Sequence, residues 1–589
     1  MDAATLFSSA QRAFQCGDLL TAHSQLLVLL TIAPDNIAVL HLLGLTEKGL
    51  GKYAMASQRF EAAMRLAPLD AELIANAANL FAAMGDIDAA LSTYKQAIAL
   101  APARLDFRLN RAISLSDFNL PQQAIEDIEY LLAQPDANAR TLTVAGQVYS
   151  ATKDRDAALS AFRRALEIEP GRPIALVGLG ELLLDEGHAD SVDVLRQAHQ
   201  VLPTEYGVTL SFAEALEAGG RSDEAIALLD KNTATVPEWI TGHLALARMR
   251  SEAGVHEDIT SGFERALNSV PQNTSLWASY AAFLRSNSSP VEALRVLARA
   301  KQSISFDPTL ALIEAGIADD LGDTDRSASL LCRIPIDYAG AASVRMRHLI
   351  RSGRPDEAIS LVEPALLENP DDIALWALAS LCWRLIDDPR ENWLNPAPGL
   401  FGAVDIGLPE DAIELADTLR QLHVARHHPA GQSLRQGTQT RGSLFRRRDH
   451  LIFRLREHIR SAVSTYVSNL PPADATHPLL RYRNQPLDFT GSWSVRLTQC
   501  GFHISHIHPA GILSSAYYVS LPDTLGGQNK DGWLAIGDAP PELETGLEPY
   551  VLVEPRVGRL ALFPSYLFHS TRPFSAGERL TVAFDMAPA

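Results

Sequence analysis

The sequence predicts a multidomain protein in which an all-α solenoid of helical hairpins precedes a barrel-like β domain with flanking helices. Three observations lead to this prediction. The chain has 589 residues, which is more than one hydrophobic core usually serves. A repeat of about 34 residues runs through the first two thirds of the chain. After about residue 390 the apolar pattern changes from a helical period to the alternation of β-strands.

Proline and glycine mark the repeat. Prolines recur at spacings of 33 to 35 residues, at Pro34, Pro68, Pro102, Pro135, Pro170, Pro203, Pro237 and Pro271. Glycines mark a second position in phase with them, at Gly17, Gly51, Gly85, Gly187, Gly220, Gly254, Gly322 and Gly353. A fixed period of this length indicates stacked pairs of helices.

One unit, residues 71–104, shows the physical basis of the repeat. Gly85 permits the positive φ that ends the first helix, and Pro102 cannot extend the second one. Because a single hairpin cannot bury its apolar face, successive units must stack on one another. The apolar residues on one face of the second helix are Ala90, Leu91, Tyr94, Ala97, Ile98 and Ala101.

These features resemble the tetratricopeptide-repeat family over residues 1–390, with about ten to eleven units. The resemblance implies a groove that holds a protein or peptide partner. Use of the repeats as a scaffold, or for self-association into a homo-oligomer, is the alternative, because a fold does not by itself define a function.

Composition narrows the classes of function. Lys and Arg number 51 against 70 Asp and Glu, a net charge of −19, which disfavours general binding to nucleic acid. The four cysteines lie far apart and form neither a disulfide framework nor a CxxC pair. The N-terminus lacks the features of a signal peptide, and no run reaches the roughly 18 apolar residues of a membrane span. We expect a cytoplasmic protein without a membrane partner.

Residues 391–589 form the second predicted domain, since Pro389, Pro396 and Pro398 interrupt the helical period. A helix is predicted over about residues 450–470, with one apolar stripe formed by Leu451, Ile452, Leu455, Ile459 and Val463. Short alternating segments then predict strands in SWSVRL, SSAYYVSL, YVLVEP, RLALFP and RLTVAF. Strands at this spacing are typical of a sandwich or jelly roll.

The segment GFHISHIHPAG contains three histidines within six residues. On a strand, His506 and His508 point to the same face, whereas His503 has the opposite parity and is expected at the surface. His569 lies 61 residues after His508, beside another predicted strand. The pattern therefore predicts a metal site formed by His506, His508 and His569.

The last predicted strand adds polar groups to the same interior, because Arg579 and Thr581 share one face of RLTVAF. Three ligands on one face of an octahedral metal leave positions for a chelating cosubstrate and O₂, and neutral imidazoles suit Fe(II). Arg579 offers a charged fork for a carboxylate, to which Thr581 can add a hydrogen bond. Tyr517 and Tyr518 are adjacent, so only one of them can face this interior, and we assign that place to Tyr518.

The C-terminal part resembles the 2-oxoglutarate/Fe(II)-dependent oxygenase superfamily, over about residues 400–589. The resemblance rests on HIHPAGILSSAYYVSLP and FPSYLFHSTRPFSAGERLTVAFDM. It implies a double-stranded β-helix with iron on His506, His508 and His569, and with Arg579 paired to the distal carboxylate of 2-oxoglutarate. The implied reaction uses O₂, converts 2-oxoglutarate to succinate and CO₂, and hydroxylates a C–H bond.

One position departs from this resemblance. Most of the superfamily has Asp or Glu where this chain has His508, and three neutral ligands leave the metal site more positive. Three-histidine iron sites also occur in cupin-type thiol dioxygenases, which use no 2-oxoglutarate, and zinc or nickel are alternatives to iron. Arg579 favours 2-oxoglutarate, with a structural salt bridge as the alternative role for this side chain.

We expect a dioxygenase that hydroxylates a protein or peptide side chain presented by the repeats. The alternatives are a small-molecule oxygenase whose repeats serve assembly, and a repeat scaffold with an inactive oxygenase fold. The basic residues Arg435, Arg441 and Arg446–Arg448 are expected either to steer an acidic partner or to form a solvated helix start.

Overall fold

Helical hairpins occupy most of the chain in the computed structural model, which describes residues 2–135, 137–255, 258–396, 399–523, 525 and 530–589. These residues form two compact units, 1–182 and 183–589. The first unit contains α1 (Ala3–Gln15), α2 (Leu19–Ile32), α3 (Ile37–Gly49), α4 (Tyr53–Leu66), α5 (Ala71–Ala83), α6 (Ile87–Leu100), α7 (Leu105–Asp117), α8 (Pro121–Leu132), α9 (Ala139–Ala151), α10 (Arg155–Ile168) and most of α11 (Pro173–Asp185).

The helical hairpins continue in the second unit. Its helices before the sheet are α12 (Ser191–Val201), α13 (Tyr206–Ala218), α14 (Ser222–Thr235), α15 (Ile240–Ala253), α16 (Ser261–Ser269), α17 (Thr274–Ser286), α18 (Pro290–Ser303), α19 (Pro308–Asp320), α20 (Thr324–Leu331), α21 (Ala341–Arg351), α22 (Pro355–Glu368), α23 (Ile373–Leu385) and α24 (Arg390–Leu394). Over the described residues, α1 to α10 and α13 to α22 pair into ten hairpins, in agreement with the repeat predicted from the sequence. None of the described helices is long and apolar enough to cross a membrane.

The hairpin of α5 and α6 shows why the repeat folds as predicted. The carboxylate of Asp70 accepts hydrogen bonds from the first backbone N–H groups of α5, and Asp86 caps α6 in the same way. Gly85 between the helices has a φ of 77°, a conformation that costs glycine little. Four of the six residues predicted for this apolar face are buried, with Tyr94 fully inaccessible, and Leu91 and Ala101 are half-buried.

The sheet follows the hairpins and contains all the predicted strands. Its strands are β1 (Gly402–Asp405), β2 (Leu434–Gln439), β3 (Leu487–His506), β4 (Leu513–Ser520), β5 (Leu534–Ile536), β6 (Val551–Val553), β7 (Arg559–Pro564), β8 (His569–Thr571) and β9 (Arg579–Pro588). Two helices accompany it, α25 (Ala412–Gln421) and α26 (His450–Asn469). The buried residues of α26 are the five predicted to form its apolar stripe.

All the strand pairings are antiparallel, in the order β1-β7-β4-β9-β3-β8-β5-β6, with β2 beside β3. The long strand β3 takes part in two faces of the fold. Its first half pairs with β9, and after Cys500, where φ is 63°, its second half pairs with β8. This continuation of one strand from one face to the other gives a barrel-like, jelly-roll arrangement.

The sheet packs against the repeat helices of the second unit. One hydrophobic core runs from Met346 and Trp376 on the repeats, through Leu455 on α26, to Phe584 on the sheet. Hairpins precede the predicted boundary between residues 390 and 391, and strands follow it. Because the hydrophobic core continues across this boundary, its position stays a prediction.

The arginine run before α26 has a role that the sequence did not indicate. Arg446 and Arg448 form ion pairs of 2.7 Å with Asp185 and Glu186, at the end of α11. The guanidinium of Arg447 packs against Gly187, which follows Glu186, and leaves no room there for a side chain. The side chains of Arg446 and Arg448 remain about half exposed, so the expected solvated helix start stays a prediction, and their ion pairs in addition join the sheet domain to the repeats.

Candidate metal centre

Three histidines meet at one end of the sheet, where β3 and β8 pair. His506 is the last residue of β3 and lies opposite His569, the first residue of β8. His508 follows in the turn after β3, and its Nε2 lies 3.1 Å from Nε2 of His506. One ring nitrogen from each of the three side chains falls within 4.8 Å of the others. The predicted trio is therefore brought together in space.

The far side of each imidazole ring is held by a hydrogen-bond acceptor. For His506 and His569 the acceptor of the Nδ1–H is the backbone carbonyl oxygen two residues earlier, at 2.8 and 3.1 Å. For His508 it is the carboxylate of Asp585, with Oδ1 at 2.6 Å from Nδ1. A proton on each Nδ1 leaves each Nε2 with a lone pair for a metal.

Burial keeps the rings of His506 and His569 neutral in the metal-free protein. Desolvation, with a smaller contribution from the neighbouring histidine, lowers the pKa of His506 to about 3. Burial lowers the pKa of His569 well below its usual value for the same reasons. Neutral imidazole is the form that binds metal ions, so no proton has to be displaced near neutral pH.

A cavity of about 420 Å³ opens in front of the trio. Arg579 and Thr581 line it from β9, as the strand parity predicts. Arg579 is 3% exposed, and no ion pair or side-chain hydrogen bond joins it to a described residue, which argues against the structural salt bridge. The other walls include Gln432, Gln439, Trp493, Val495, Ser515, Phe563 and Thr571.

The two adjacent tyrosines have different surroundings. Tyr517 donates its hydroxyl hydrogen bond to the carbonyl oxygen of Gly407, at 2.7 Å, away from the cavity. Tyr518 is opposite Thr581 in the β4–β9 register, and the guanidinium carbon of Arg579 lies 5.0 Å from its ring centroid. The hydroxyl oxygen of Tyr518 and Nε of Arg579 are both buried without a hydrogen-bond partner among the described residues.

The expectation that His503 lies at the surface is wrong. The register of β3 and β8 shifts between His503 and His506, and this β-bulge brings His503 to the cavity side of the strand. Its Nδ1 lies 3.1 Å from the hydroxyl of Ser433, and its ring is nearly parallel to that of His506. Burial also lowers its pKa well below the usual value.

Two functional features escaped the sequence argument. One is Asp585, which has the same strand parity as Arg579 and Thr581, so the alternation of β9 contains the signal. The other is the loop before β2, which contributes Gln432 and Ser433 to the cavity and carries no local sequence signal.

The donor set and the unpartnered polar atoms fit the predicted metal and cosubstrate. Three neutral imidazole nitrogens suit a first-row divalent ion such as Fe(II). Among the described residues, Nε of the buried guanidinium of Arg579 has no acceptor, which a carboxylate in the cavity would provide. The hydroxyl of Tyr518 also has no partner there, but Tyr518 is not one of the residues that line the cavity.

Family comparisons agree with this geometry. Residues 491–585 match the family model described as "Putative 2OG-Fe(II) oxygenase". Residues 71–104 and 139–172 match the tetratricopeptide-repeat model. The chain therefore combines tetratricopeptide repeats with a C-terminal region that matches a putative oxygenase family. We refer to the sheet with α25 and α26 as the oxygenase-like domain.

Individual proteins match this chain only at low identity. The human protein O-mannosyl-transferase TMTC1 is 23% identical over 201 residues, which cover 33% of this chain and 23% of that relative's length. A tetratricopeptide repeat protein from Parabacteroides merdae shows 16% identity and a TM-score of 0.32, covering 41% of this chain and 97% of that one. YrrB, described as a TPR protein with an unusual peptide-binding site, shows 15% identity and a TM-score of 0.27, covering 33% and 97%.

Proposed function

We propose that the protein is an Fe(II)- and 2-oxoglutarate-dependent dioxygenase that hydroxylates a protein or peptide side chain. The observation that supports this most is the shared cavity of three converging imidazoles and a buried guanidinium without a carboxylate partner. His506, His508 and His569 would hold the metal. Arg579, with Thr581 and Tyr518, would bind the distal carboxylate of 2-oxoglutarate.

In this proposal the bound iron and 2-oxoglutarate supply the activation of O₂. One oxygen atom enters succinate as 2-oxoglutarate loses CO₂, and the other converts a substrate C–H to C–OH. The chain's own residues prepare the site. The neutral imidazoles offer lone pairs, Arg579 balances the charge of the cosubstrate, and the apolar walls at Trp493 and Phe563 limit access of water.

A second cavity supports a polypeptide substrate. This outer chamber has a volume of about 710 Å³ and shares Gly431, Gln432, Ser433 and His506 with the inner cavity. Helices of the repeats form one wall of it, so the approach to the metal centre runs along the repeat surface. The wall residues from the repeats are Ala282, Arg285, Ser286, Ser288, Pro290, Ile313, Asp320 and Arg347.

The charges of the outer chamber favour an acidic substrate segment. Two of its arginines are neutralised, since Arg285 pairs with Asp320 at 2.6 Å and Arg347 pairs with Glu542 at 2.8 Å. Arg435 donates hydrogen bonds to Ser288 and to backbone carbonyl oxygens, but no carboxylate of the described residues pairs with it. Burial lowers its pKa, so its charge is poorly solvated and an anionic group would stabilise it.

The test combines cosubstrate turnover with a peptide library. The full-length protein with Fe(II), 2-oxoglutarate and O₂ should form succinate, and His569→Ala should abolish this activity. In a library of synthetic acidic and neutral peptides, an acidic peptide should gain one oxygen atom by mass spectrometry. Succinate formation that no peptide stimulates, with no oxidised peptide, would instead indicate a small-molecule oxygenase. Absence of both would indicate an inactive fold.

A matched pair of variants tests the outer chamber itself. Ala282→Arg places a large charged side chain on the chamber wall, whereas Ala298→Arg makes the same change at an exposed position on α18 outside it. We expect the first to raise the KM for the peptide about tenfold or more, a loss of roughly 1.4 kcal/mol of binding. The second should match the wild type, and equal KM values for the two variants would contradict the role of the chamber.

A further inference from the structure

Behind the metal centre lies a carboxylate that touches only one of the three histidines. Asp585 on β9 is 6% exposed, and its Oδ1 lies 2.6 Å from Nδ1 of His508. The other two histidines have uncharged carbonyl oxygens at the equivalent place. The centre is therefore asymmetric, with a negative charge placed behind the position where the related oxygenases carry an acidic ligand.

The strands fix this carboxylate in place. Asp585 pairs with Ser514 across β4 and β9, and the hydroxyl of Ser514 donates to Oδ1 at 2.7 Å. Ser514 also lies 2.8 Å from the hydroxyl of Ser565, which is fully buried. The hydroxyl of Ser514 on the neighbouring strand thus holds the carboxylate without neutralising it, and Ser565 in turn contacts that hydroxyl.

No lysine or arginine of the described residues lies within ion-pair distance of Asp585, and the imidazole of His508 is its hydrogen-bond partner. A buried carboxylate without a cation is costly, so the fold keeps it for a reason other than stability. A divalent ion on the far side of His508 would compensate the charge through the ring. Three imidazoles plus this carboxylate carry one negative charge, the same total as two imidazoles and an acidic ligand.

We infer that Asp585 is a positioning residue that supplies, through His508, the negative charge that an acidic metal ligand would bring directly. It also keeps the proton on Nδ1, so that Nε2 of His508 faces the metal. The inference rests on the metal site of the proposed function. It explains how a three-histidine centre in this fold can have the charge of the more common arrangement.

The first test is metal affinity, measured with Zn(II) alone by competition with a chromophoric chelator on the full-length metal-free protein. Asp585→Asn keeps the shape and the hydrogen-bond acceptor but removes the charge, and should weaken Zn(II) binding by about 10- to 100-fold. Asp538→Asn is the matched control. The carboxylate of Asp538 accepts a hydrogen bond from Ser570 beside the site and contacts no histidine of the trio among the described residues. The Zn(II) affinity of Asp538→Asn should therefore stay within about twofold of that of the wild type.

A double-mutant cycle separates positioning from general damage to the fold. In the His508→Ala background the effect of Asp585→Asn should vanish, because the charge has lost the ring through which it acts. An effect of the same size in both backgrounds would show a structural role and overturn the inference.

The tautomer of His508 can be measured by NMR on the metal-free protein with ¹⁵N-labelled histidine. In the wild type the proton should lie on Nδ1, with its resonance strongly downfield, and in Asp585→Asn this resonance should shift upfield.

The outcomes also distinguish this inference from the proposed function. If the wild type binds Zn(II) and Asp585→Asn binds it equally well, the inference is wrong and the metal site stands. If the wild type binds neither Zn(II) nor Fe(II), both are wrong. A thermal unfolding midpoint of metal-free Asp585→Asn close to that of the wild type is required before its affinity is interpreted.

Discussion

Replacement of Arg579 by glutamine should nearly abolish 2-oxoglutarate binding. The guanidinium is buried to 3% exposure over the ring of Tyr518, and no carboxylate of the described chain pairs with it. An unpaired buried charge of this kind costs free energy in the empty site, which a carboxylate of the cosubstrate would recover. Glutamine keeps a polar group of similar reach but removes both the charge and the fork.

The size of the loss follows from the contacts available. Two charge-assisted hydrogen bonds are worth about 1.5 to 3 kcal/mol each, but the empty site of the variant no longer has to bury a charge. We expect a net loss of about 3 to 4 kcal/mol, or roughly 100- to 1000-fold in Kd. Arg579→Lys keeps the charge without the fork and should lose only about tenfold.

The assay is calorimetric titration of the Fe(II)-loaded protein with 2-oxoglutarate under argon. Arg496→Gln is the matched control, because Arg496 lies on the neighbouring strand, is 38% exposed and pairs with Glu578 outside the cavity. Its Kd should stay within about twofold of the wild type, since exposed ion pairs contribute little. If Arg579→Gln bound 2-oxoglutarate as tightly as the wild type, the cosubstrate assignment would be refuted. Iron binding without any 2-oxoglutarate affinity would favour the cupin-type dioxygenase alternative.

Two further predictions concern the interface of the oxygenase-like domain with the repeats. Burial raises the pKa of Glu391 to about 7, above its unfolded value of about 4.3. Between these two pH values the native state holds one more proton than the unfolded state, so the free energy of unfolding falls as pH rises through that window. Between about pH 5 and pH 8 the wild type should therefore lose on the order of 2 to 3 kcal/mol relative to Glu391→Gln in urea unfolding; a pH-independent difference would contradict the shift. Arg441→Gln should destabilise the second unit by about 3 kcal/mol, because Arg441 forms ion pairs with the buried carboxylates of Glu217 and Glu252. The control Arg454→Gln removes an exposed ion pair and should cost under about 1 kcal/mol. Equal urea midpoints for these two variants would count against the interface.

Local periodicity accounts for the parts of the fold that the sequence could predict. The glycine and proline spacing predicts the hairpins because each turn and helix end obeys a local backbone constraint. The stripe of α26 and the strands RLALFP and RLTVAF follow from side-chain periods of 3.6 and 2 residues. The alternation of side chains along β9 also places Arg579 and Thr581 in one cavity. Asp585 has the same parity on this strand.

Contacts between distant segments have no such local signature. The bulge that turns His503 into the cavity depends on how β3 registers with β8. Arg446 and Arg448 find their carboxylates more than 200 residues away in the chain, so their spacing alone could not show that they join two parts of the molecule.

The sequence by itself therefore determined the two architectures and the side chains that converge at the candidate metal centre, since these depend on residue type and period. Only the tertiary structure decided what surrounds them: the carboxylate of Asp585 behind His508, the unpartnered surroundings of Arg579, and the repeat helices that wall the outer chamber. The physical reason is that charge balance and access arise from packing between segments far apart in the chain.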